Sequence, residues 1–265
     1  MVDSTLVHFK TKENFKREKG NILDSSIVFI QDSKEISTHG TVYKSVNWSV
    51  LDDNIVEVPS KYEFVDLGLP SGLKWASCNV GASKPEDFGL YFAWGETQGY
   101  SGITSDKGFY WGDYKYSSGQ TSSTSTEFKG LTKYNTKSSS GTVDNLTTLE
   151  QVDDAAYTSD NTCRMPTKAD FEELIANTTS TWETLNDVNG RRFTSKTNGN
   201  SIFVPVAGIC NFGSAYNGGS RGYLWSSSLN ESDPWYSWYL YFNSGSVYVS
   251  NGGRCHGFSV RAIKK

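Results

Sequence analysis

The 265-residue sequence lacks an apolar run long enough to cross a membrane, and it lacks any cluster of lysine or arginine. A membrane-spanning helix needs about 20 consecutive apolar residues, and nucleic-acid-binding domains concentrate positive charge on one surface. The net charge is −4 at pH 7. We therefore expect no membrane insertion and no nucleic-acid partner. Residues 1–5 also lack the basic and apolar regions of a signal peptide, so a chain beginning here is not expected to follow the general export route.

Cysteine and histidine are scarce as well. The sequence has three histidines and four widely spaced cysteines, Cys78, Cys163, Cys210 and Cys255, and it has no CxxC pair. We expect the first three cysteines to be small buried residues, and Cys255, between Arg254 and His256, to be exposed. Adjacent residues of a strand point to opposite faces, so Cys255 and His256 are not expected to form a nucleophile and base pair. Carboxylates are scattered. We assign no catalytic residue, no metal site and no cofactor.

Aromatic residues, in contrast, are abundant. They make up 14% of the chain, whereas all hydrophobic residues together make up only 36%. Tyrosine and tryptophan combine an apolar body with a polar tip, so they suit recognition surfaces as well as cores.

The pattern along the chain predicts two parts. Residues 1–60 contain a helix candidate at 12–19 and strand candidates at 26–30, 36 and 41–43. Because one short helix and a few strands cannot bury much apolar surface, this part is expected to attach to a partner or to oligomerise. Residues 61–265 are expected to form the main domain.

Within that domain the pattern mixes strands with one helix. A hairpin is predicted around Pro70–Gly72, a long loop over 99–145, and a helix that begins after Thr167, with Asp170 completing a capping box. Strands are predicted from residue 201 onward, including a hairpin at 238–249. These elements predict an α+β fold.

Several segments resemble a known family. Arg164–Phe171 is similar to the helix start of the formylglycine-generating-enzyme type of C-type-lectin-like fold, and Val65–Trp75 resembles the start of a related bacterial domain. The segment from Leu240 to Arg261 closely resembles the variable region of proteins diversified by retroelements in gut bacteria and their phages. The resemblance implies a C-type-lectin-like fold over 61–265, with a variable region at about 221–263, and a ligand-binding function.

The family combines a constant frame with exposed, exchangeable positions. The resemblance implies that the frame residues are Trp225, Leu240, Phe242, Val247, Val249, Phe258 and Val260. It implies that the exposed, ligand-binding positions are Tyr239, Tyr241, Ser246, Tyr248, Ser250, Asn251, Gly252, Gly253, Cys255 and His256. Retroelement mutation of adenines in asparagine-type codons does not produce Trp, Lys, Glu, Gln or Met, and residues 239–258 contain none of these. A short tyrosine- and serine-rich hairpin without diversification has the same composition.

Four further aromatic residues, Tyr223, Trp235, Tyr236 and Trp238, are candidates for the rim of this surface. Packing in the core is the alternative for Trp235 and Tyr236. Replacing Tyr239, Tyr241 and Tyr248 is expected to abolish binding and to leave stability unchanged.

The N-terminal segment Ser26–Gly40 is similar to a stretch found in tail and fibre proteins of gut-bacterial phages. Together these resemblances imply a receptor-binding protein of a phage tail that recognises a protein or glycan on a bacterial cell, with a homotrimer expected by analogy alone. Two alternatives remain. One is an adhesin or carbohydrate-binding module at the bacterial cell surface, and the other is a formylglycine-generating oxidase, which the absence of its active-site segment disfavours.

Overall fold

The computed structural model describes residues 62–118 and 124–265, together with the backbone of four short strands closer to the N-terminus. The chain divides into two compact units, Met1–Ser60 and Lys61–Lys265. The helix expected at residues 12–19 lies outside the described residues.

The described residues of the first unit form one four-stranded sheet. Its strands are β1 (Leu6–Phe9), β2 (Ile27–Ile30), β3 (Glu35–Thr38) and β4 (Thr41–Tyr43), paired in that order. Strand β1 runs parallel to β2, and the other two pairs are antiparallel. The strands expected at residues 26–30, near 36 and at 41–43 are therefore present.

The second unit is built mainly from strands. They are β5 (Phe64–Asp66), β6 (Lys74–Asn79), β7 (Thr178–Leu185), β8 (Val188–Ser195), β9 (Ser201–Pro205), β10 (Ile209–Asn211), β11 (Ser214–Tyr216), β12 (Arg221–Leu229), β13 (Tyr236–Asn243), β14 (Val247–Gly253) and β15 (Arg261–Lys264). The α-helices described are only α1 (Ala155–Ser159) and α2 (Lys168–Asn177). The expected α+β class is therefore wrong, because the described residues form a mainly β structure. None of the helices in the described residues is long and apolar enough to cross a membrane.

The strands of the second unit form four small sheets. Strand β6 pairs with both β5 and β15, so the beginning and the end of the unit lie in one sheet. Strands β7, β8 and β9 form an antiparallel meander, and so do β12, β13 and β14. Strands β10 and β11 form a separate hairpin. The long segment 99–145 contains only short 3₁₀ turns among its described residues, as its composition predicts.

Helix α2 begins where the capping pattern predicts. The Thr167 hydroxyl accepts a hydrogen bond from the Asp170 amide, and the Asp170 carboxylate accepts one from the Thr167 amide. Phe171 and Leu174 are buried on the inner side of the helix. They pack into an aliphatic cluster with side chains from all three larger sheets. We call this set the aliphatic core: Leu67, Leu69, Leu73, Trp75, Phe171, Leu174, Phe193, Ile202, Val204, Val206, Leu224, Leu240, Phe242 and Ile263.

A second cluster is rich in aromatic residues and contains a fully buried cation. The Arg254 guanidinium lies over the rings of Trp94, at 4.7 Å from the ring centre, and Tyr114, at 5.4 Å. It donates hydrogen bonds to the Tyr114 hydroxyl and to three backbone carbonyls, those of Lys133, Tyr134 and Pro234. A buried charge is tolerated only when such partners satisfy it. Arg254 therefore fastens the end of β14 to the long loop segment.

Candidate ligand-binding face

The sheet β12–β13–β14 has one side anchored in the aliphatic core. Alternation along the strands directs Leu224, Leu240 and Phe242 to this side, where they are almost fully buried. Gly222 lies opposite Phe242 in the register. A Cβ atom at Gly222 would come within 1.9 Å of the Phe242 ring, so only glycine allows the ring to lie flat on β12.

The other side of the same sheet carries aromatic rings in cross-strand register. Tyr223 pairs with Tyr241, Trp225 pairs with Tyr239, and Tyr241 pairs in turn with Tyr248. The ring centres of Tyr223 and Tyr241 are 5.4 Å apart, and those of Tyr241 and Tyr248 are 4.9 Å apart. Such pairs stabilise neighbouring strands and hold each ring in a fixed position.

The row of rings continues beyond the sheet. Phe258 lies 4.9 Å from Tyr239 and 6.0 Å from His256, and Phe212 lies 5.8 Å from His256 on its far side. Tyr110 then lies 5.7 Å from Phe212. We call the outer rings of this continuous surface the aromatic face: Tyr110, Phe212, Tyr223, Tyr239, Tyr241, Tyr248 and His256.

Phe212 stands at the tip of the hairpin β10–β11. Phe212 and Gly213 form its two-residue turn, with φ angles of +45° and +76°. Asparagine and glycine suit such a turn, whereas a bulky residue at positive φ is strained by roughly 1–2 kcal/mol. The Phe212 side chain is 37% exposed, so burial does not explain this choice. A strained and exposed aromatic residue at a loop tip indicates a contact site.

The tyrosine hydroxyls of the face are held by polar neighbours. Asn243 donates a hydrogen bond of 2.9 Å to the Tyr241 hydroxyl, and Asn217 donates one of 3.4 Å to the Tyr223 hydroxyl. Burial raises the pKa of Tyr223 and of Tyr239 above the usual value. These hydroxyls therefore remain protonated at neutral pH and can both donate and accept hydrogen bonds.

His256 lies half-buried between Phe212 and Phe258. Burial among these rings lowers its pKa to about 4 because the charged form loses hydration. The imidazole is therefore neutral at physiological pH and contributes to the face as an aromatic ring.

The structure divides the ten expected binding positions into three groups. Ser246, Tyr248 and Asn251 are exposed. Tyr239, Ser250, Gly252 and His256 are half-buried with part of their surface at the face. Tyr241, Gly253 and Cys255 are buried, so their expected exposure is wrong.

The three buried positions have different causes. The ring of Tyr241 is covered by Tyr223 and Tyr248 and is only 9% exposed. Gly253 lies under the His256 ring. Cys255 lies two residues after the end of β14 and turns inward, where burial raises the pKa of its thiol. The three other cysteines are also buried, as expected.

The expected rim residues belong to different surfaces. Tyr223 is part of the aromatic face, although it is buried at 8% exposure. Trp235 is half-buried and packs against Phe128 and Trp111, at the edge of the aromatic cluster. Tyr236 and Trp238 alternate along β13 with the residues of the aromatic face. They therefore lie on the same side of the sheet as Leu240, away from that face.

Two cavities lie away from the face. The groove beside Trp238 has a volume of about 450 Å³ and is lined by Lys168, Glu172 and Asn230, among others. The Lys168 ammonium lies 4.2 Å from the centre of the Trp238 ring and covers it. The other cavity, of about 250 Å³, contains the buried Lys107 ammonium bound to Glu96 and Asp113. No group of three or more potential metal ligands occurs in the part of the chain that the structure describes.

Sequence analysis missed the part of the face that comes from outside the variable segment, Tyr110 and Phe212 in particular. The Phe212-Gly213 dipeptide was only a weak indication of a turn, because glycine is common in turns but phenylalanine is not. Tyr110 gave no signal at all, since it lies in an irregular segment. Its place on the face depends on contacts between residues about 100 positions apart.

Comparison with known proteins gives one match. No curated protein and no solved structure matches the chain. The profile of a family described as a domain of unknown function (DUF8237) matches residues 174–263. This range begins within α2 and covers every strand from β7 to nearly the end of β15, including the sheet that carries the aromatic face. The chain is thus similar, over its face-forming segment, to a domain family whose function is not known.

Proposed function

We propose that the unit Lys61–Lys265 is a ligand-binding module and that the aromatic face is its binding surface. The observation that carries this proposal is the two-sided sheet β12–β13–β14. One side is fixed in the aliphatic core. The other carries a row of packed aromatic rings, in which Tyr248 is exposed and Tyr239 is half-buried, whereas Tyr223 and Tyr241 are buried beneath their neighbours.

Such a surface suits recognition for physical reasons. Tyrosine provides a large contact area and loses little side-chain entropy on binding, because its ring has few rotatable bonds. Here the rings already pack against one another, so their positions are set before a ligand arrives. Preorganisation of this kind lowers the free-energy cost of association.

The resemblance to retroelement-diversified proteins extends the proposal. The accessible positions Ser246, Tyr248, Ser250, Asn251 and His256 are the ones we propose to vary between copies of the protein. Their side chains lie at the surface or at its edge, so exchange there leaves the aliphatic core intact. A reverse-transcriptase gene beside this gene, with a near-copy of codons 221–263, would support diversification. Absence of both would favour an undiversified relative.

We propose a protein or glycan on a bacterial cell surface as the target, and the tail of a phage virion as the location. The unit Met1–Ser60 would then attach the module to the tail or assemble several copies, which raises avidity when single faces bind weakly. An adhesin on a bacterial cell surface would use the same face and differ only in its attachment.

Tyr248 is the residue of choice for testing the binding face. Its side chain is 49% exposed. Tyr248→Ala should therefore reduce capture of target cells by immobilised protein at least tenfold and should change the free energy of unfolding by less than about 0.5 kcal/mol.

Tyr236→Ala is the matched control. Tyr236 is 38% exposed and has the opposite strand parity in the same sheet, so its replacement should leave capture unchanged. Equal loss of capture in both variants, or in neither, would reject the aromatic face as the binding surface.

A further inference from the structure

The two segments that supply most of the aromatic face contain hardly any charge. Residues 206–230 contain one ionised side chain, that of Arg221. Residues 235–258 also contain only one, that of Arg254, and its guanidinium is bound inside the protein. The carboxylate of Asp113, close to Tyr110, forms an ion pair with Lys107. Arg221 is thus the one solvent-facing charge that these two segments bring to the face.

Arg221 is placed at the tyrosine row itself. It begins β12, its side chain is exposed, and it lies opposite Asn243 in the register. Alternation along β12 places the Arg221 side chain on the same side of the sheet as Tyr223, and the proximity of Tyr223, Tyr241 and Tyr248 raises the pKa of its guanidinium. No carboxylate among the described residues forms an ion pair with it. A guanidinium presents a planar fork of five N–H donors that matches a carboxylate.

We propose that Arg221 selects for a carboxylate on the ligand and that this ligand is an acidic saccharide whose rings lie along the tyrosines. This inference rests on the proposed binding face. A saccharide fits better than an acidic peptide because the face combines flat rings with hydroxyl and amide groups from Ser250, Asn217 and Asn243.

The experiment is a titration of the full-length, ¹⁵N-labelled protein, followed through the Nε–Hε signal of Arg221 and the amide signals of β13 and β14. The probes are glucuronate, glucose and the α-amide of N-acetyl-glutamic acid. Glucuronate at millimolar concentration should shift the Arg221 signal and the amide signals near Tyr241 and Tyr248. Glucose, which has the same ring without the carboxylate, should produce shifts at least fivefold smaller.

Two variants control for charge. Arg221→Gln should abolish the response of the β13 and β14 amides to glucuronate, and Arg221→Lys should weaken it because an ammonium lacks the planar fork. Lys265→Gln is the control for a change in net charge. It removes one positive charge at an exposed position after β15, a strand of another sheet, and this variant should respond like the wild type.

Each opposing outcome overturns the proposal. Equal shifts with glucose and glucuronate would show that the carboxylate is not recognised. A response to the glutamate derivative but not to glucuronate would identify an acidic peptide as the ligand class. No response to any probe would reject the acidic saccharide. Cell capture that depends on Tyr248 would still support the binding face in that case. Failure of the one proposal can therefore be distinguished from failure of the other.

Discussion

The two sides of the sheet β12–β13–β14 differ in what holds their side chains. On the core side, Leu240 and Phe242 are completely enclosed by hydrophobic neighbours from other sheets and from α2. On the outer side, Tyr239 and Tyr248 pack mainly against other rings and keep an edge or a hydroxyl in contact with solvent. One side of these strands is therefore enclosed in the core, and the other side, which keeps part of its ring surface accessible, is the one we propose for recognition.

This difference explains why the tyrosines cannot be treated as one set. Tyr248 stands at the outer edge of the row, whereas Tyr239 contacts both Trp225 and Phe258, and Tyr241 is buried under its neighbours. The expectation that all three can be replaced without loss of stability is therefore revised. It applies to Tyr248, while Tyr239 and Tyr241 also support the surface that they form.

The strongest test of the comparison removes a ring from the core side. Phe242→Ala should lower the free energy of unfolding by about 3–5 kcal/mol, because the enclosed site cannot collapse around the missing ring. Urea unfolding measures this loss, with Tyr248→Ala as the matched aromatic truncation on the opposite side. A loss below about 1 kcal/mol for Phe242→Ala would show that the core side is not tightly packed.

The next effect concerns protonation at the aromatic face. The pKa of His256 is about 4 in the folded protein, compared with about 6.5 in an unfolded chain. Between these values the unfolded state binds more protons, so stability should fall as the pH drops from about 6.5 towards 4. Above pH 7 both states are neutral, and the contribution vanishes.

The variant His256→Asn isolates this contribution. Between pH 7 and pH 5 the wild type should lose about 2 kcal/mol more stability than the variant, measured by urea unfolding at both pH values. Parallel pH profiles for the two proteins would show that His256 is as well solvated in the folded protein as in the unfolded chain.

The sequence was most informative where one local pattern determines one element. The Thr167 and Asp170 capping box located the start of α2, and alternation in β13 correctly directed Leu240 and Phe242 to the core. The hairpin β7–β8 was missed, although Asn186 and Asp187 form its turn at φ angles of +46° and +65°. Asparagine and aspartate tolerate such angles, so this dipeptide was the available signal, and overlooking it contributed to the wrong α+β assignment.

The candidate site was less predictable because it depends on contacts between distant segments. Strand parity identified Tyr239 and Tyr248, but Cys255 lies after β14, where alternation no longer applies. The inward turn there is coupled to Arg254, whose partners include Tyr114 and Tyr134 of the irregular segment. The sequence alone does not show which loop binds a buried arginine. The inward turn after β14 could therefore not be foreseen, and Cys255 was wrongly expected to be exposed.

The smallest expected effect on stability has the opposite sign and concerns Phe212. Asparagine at this position suits the left-handed backbone of the turn, but the variant loses ring contacts with Tyr110 and His256. Phe212→Asn should therefore raise the free energy of unfolding by about 0.5 kcal/mol and reduce target capture at least tenfold. Phe212→Leu, which keeps apolar bulk and backbone strain, is the control and should show no gain in stability. If Phe212→Asn instead destabilises the protein by more than about 1 kcal/mol and retains capture, the ring belongs to the packing of the hairpin, and the aromatic face ends at His256.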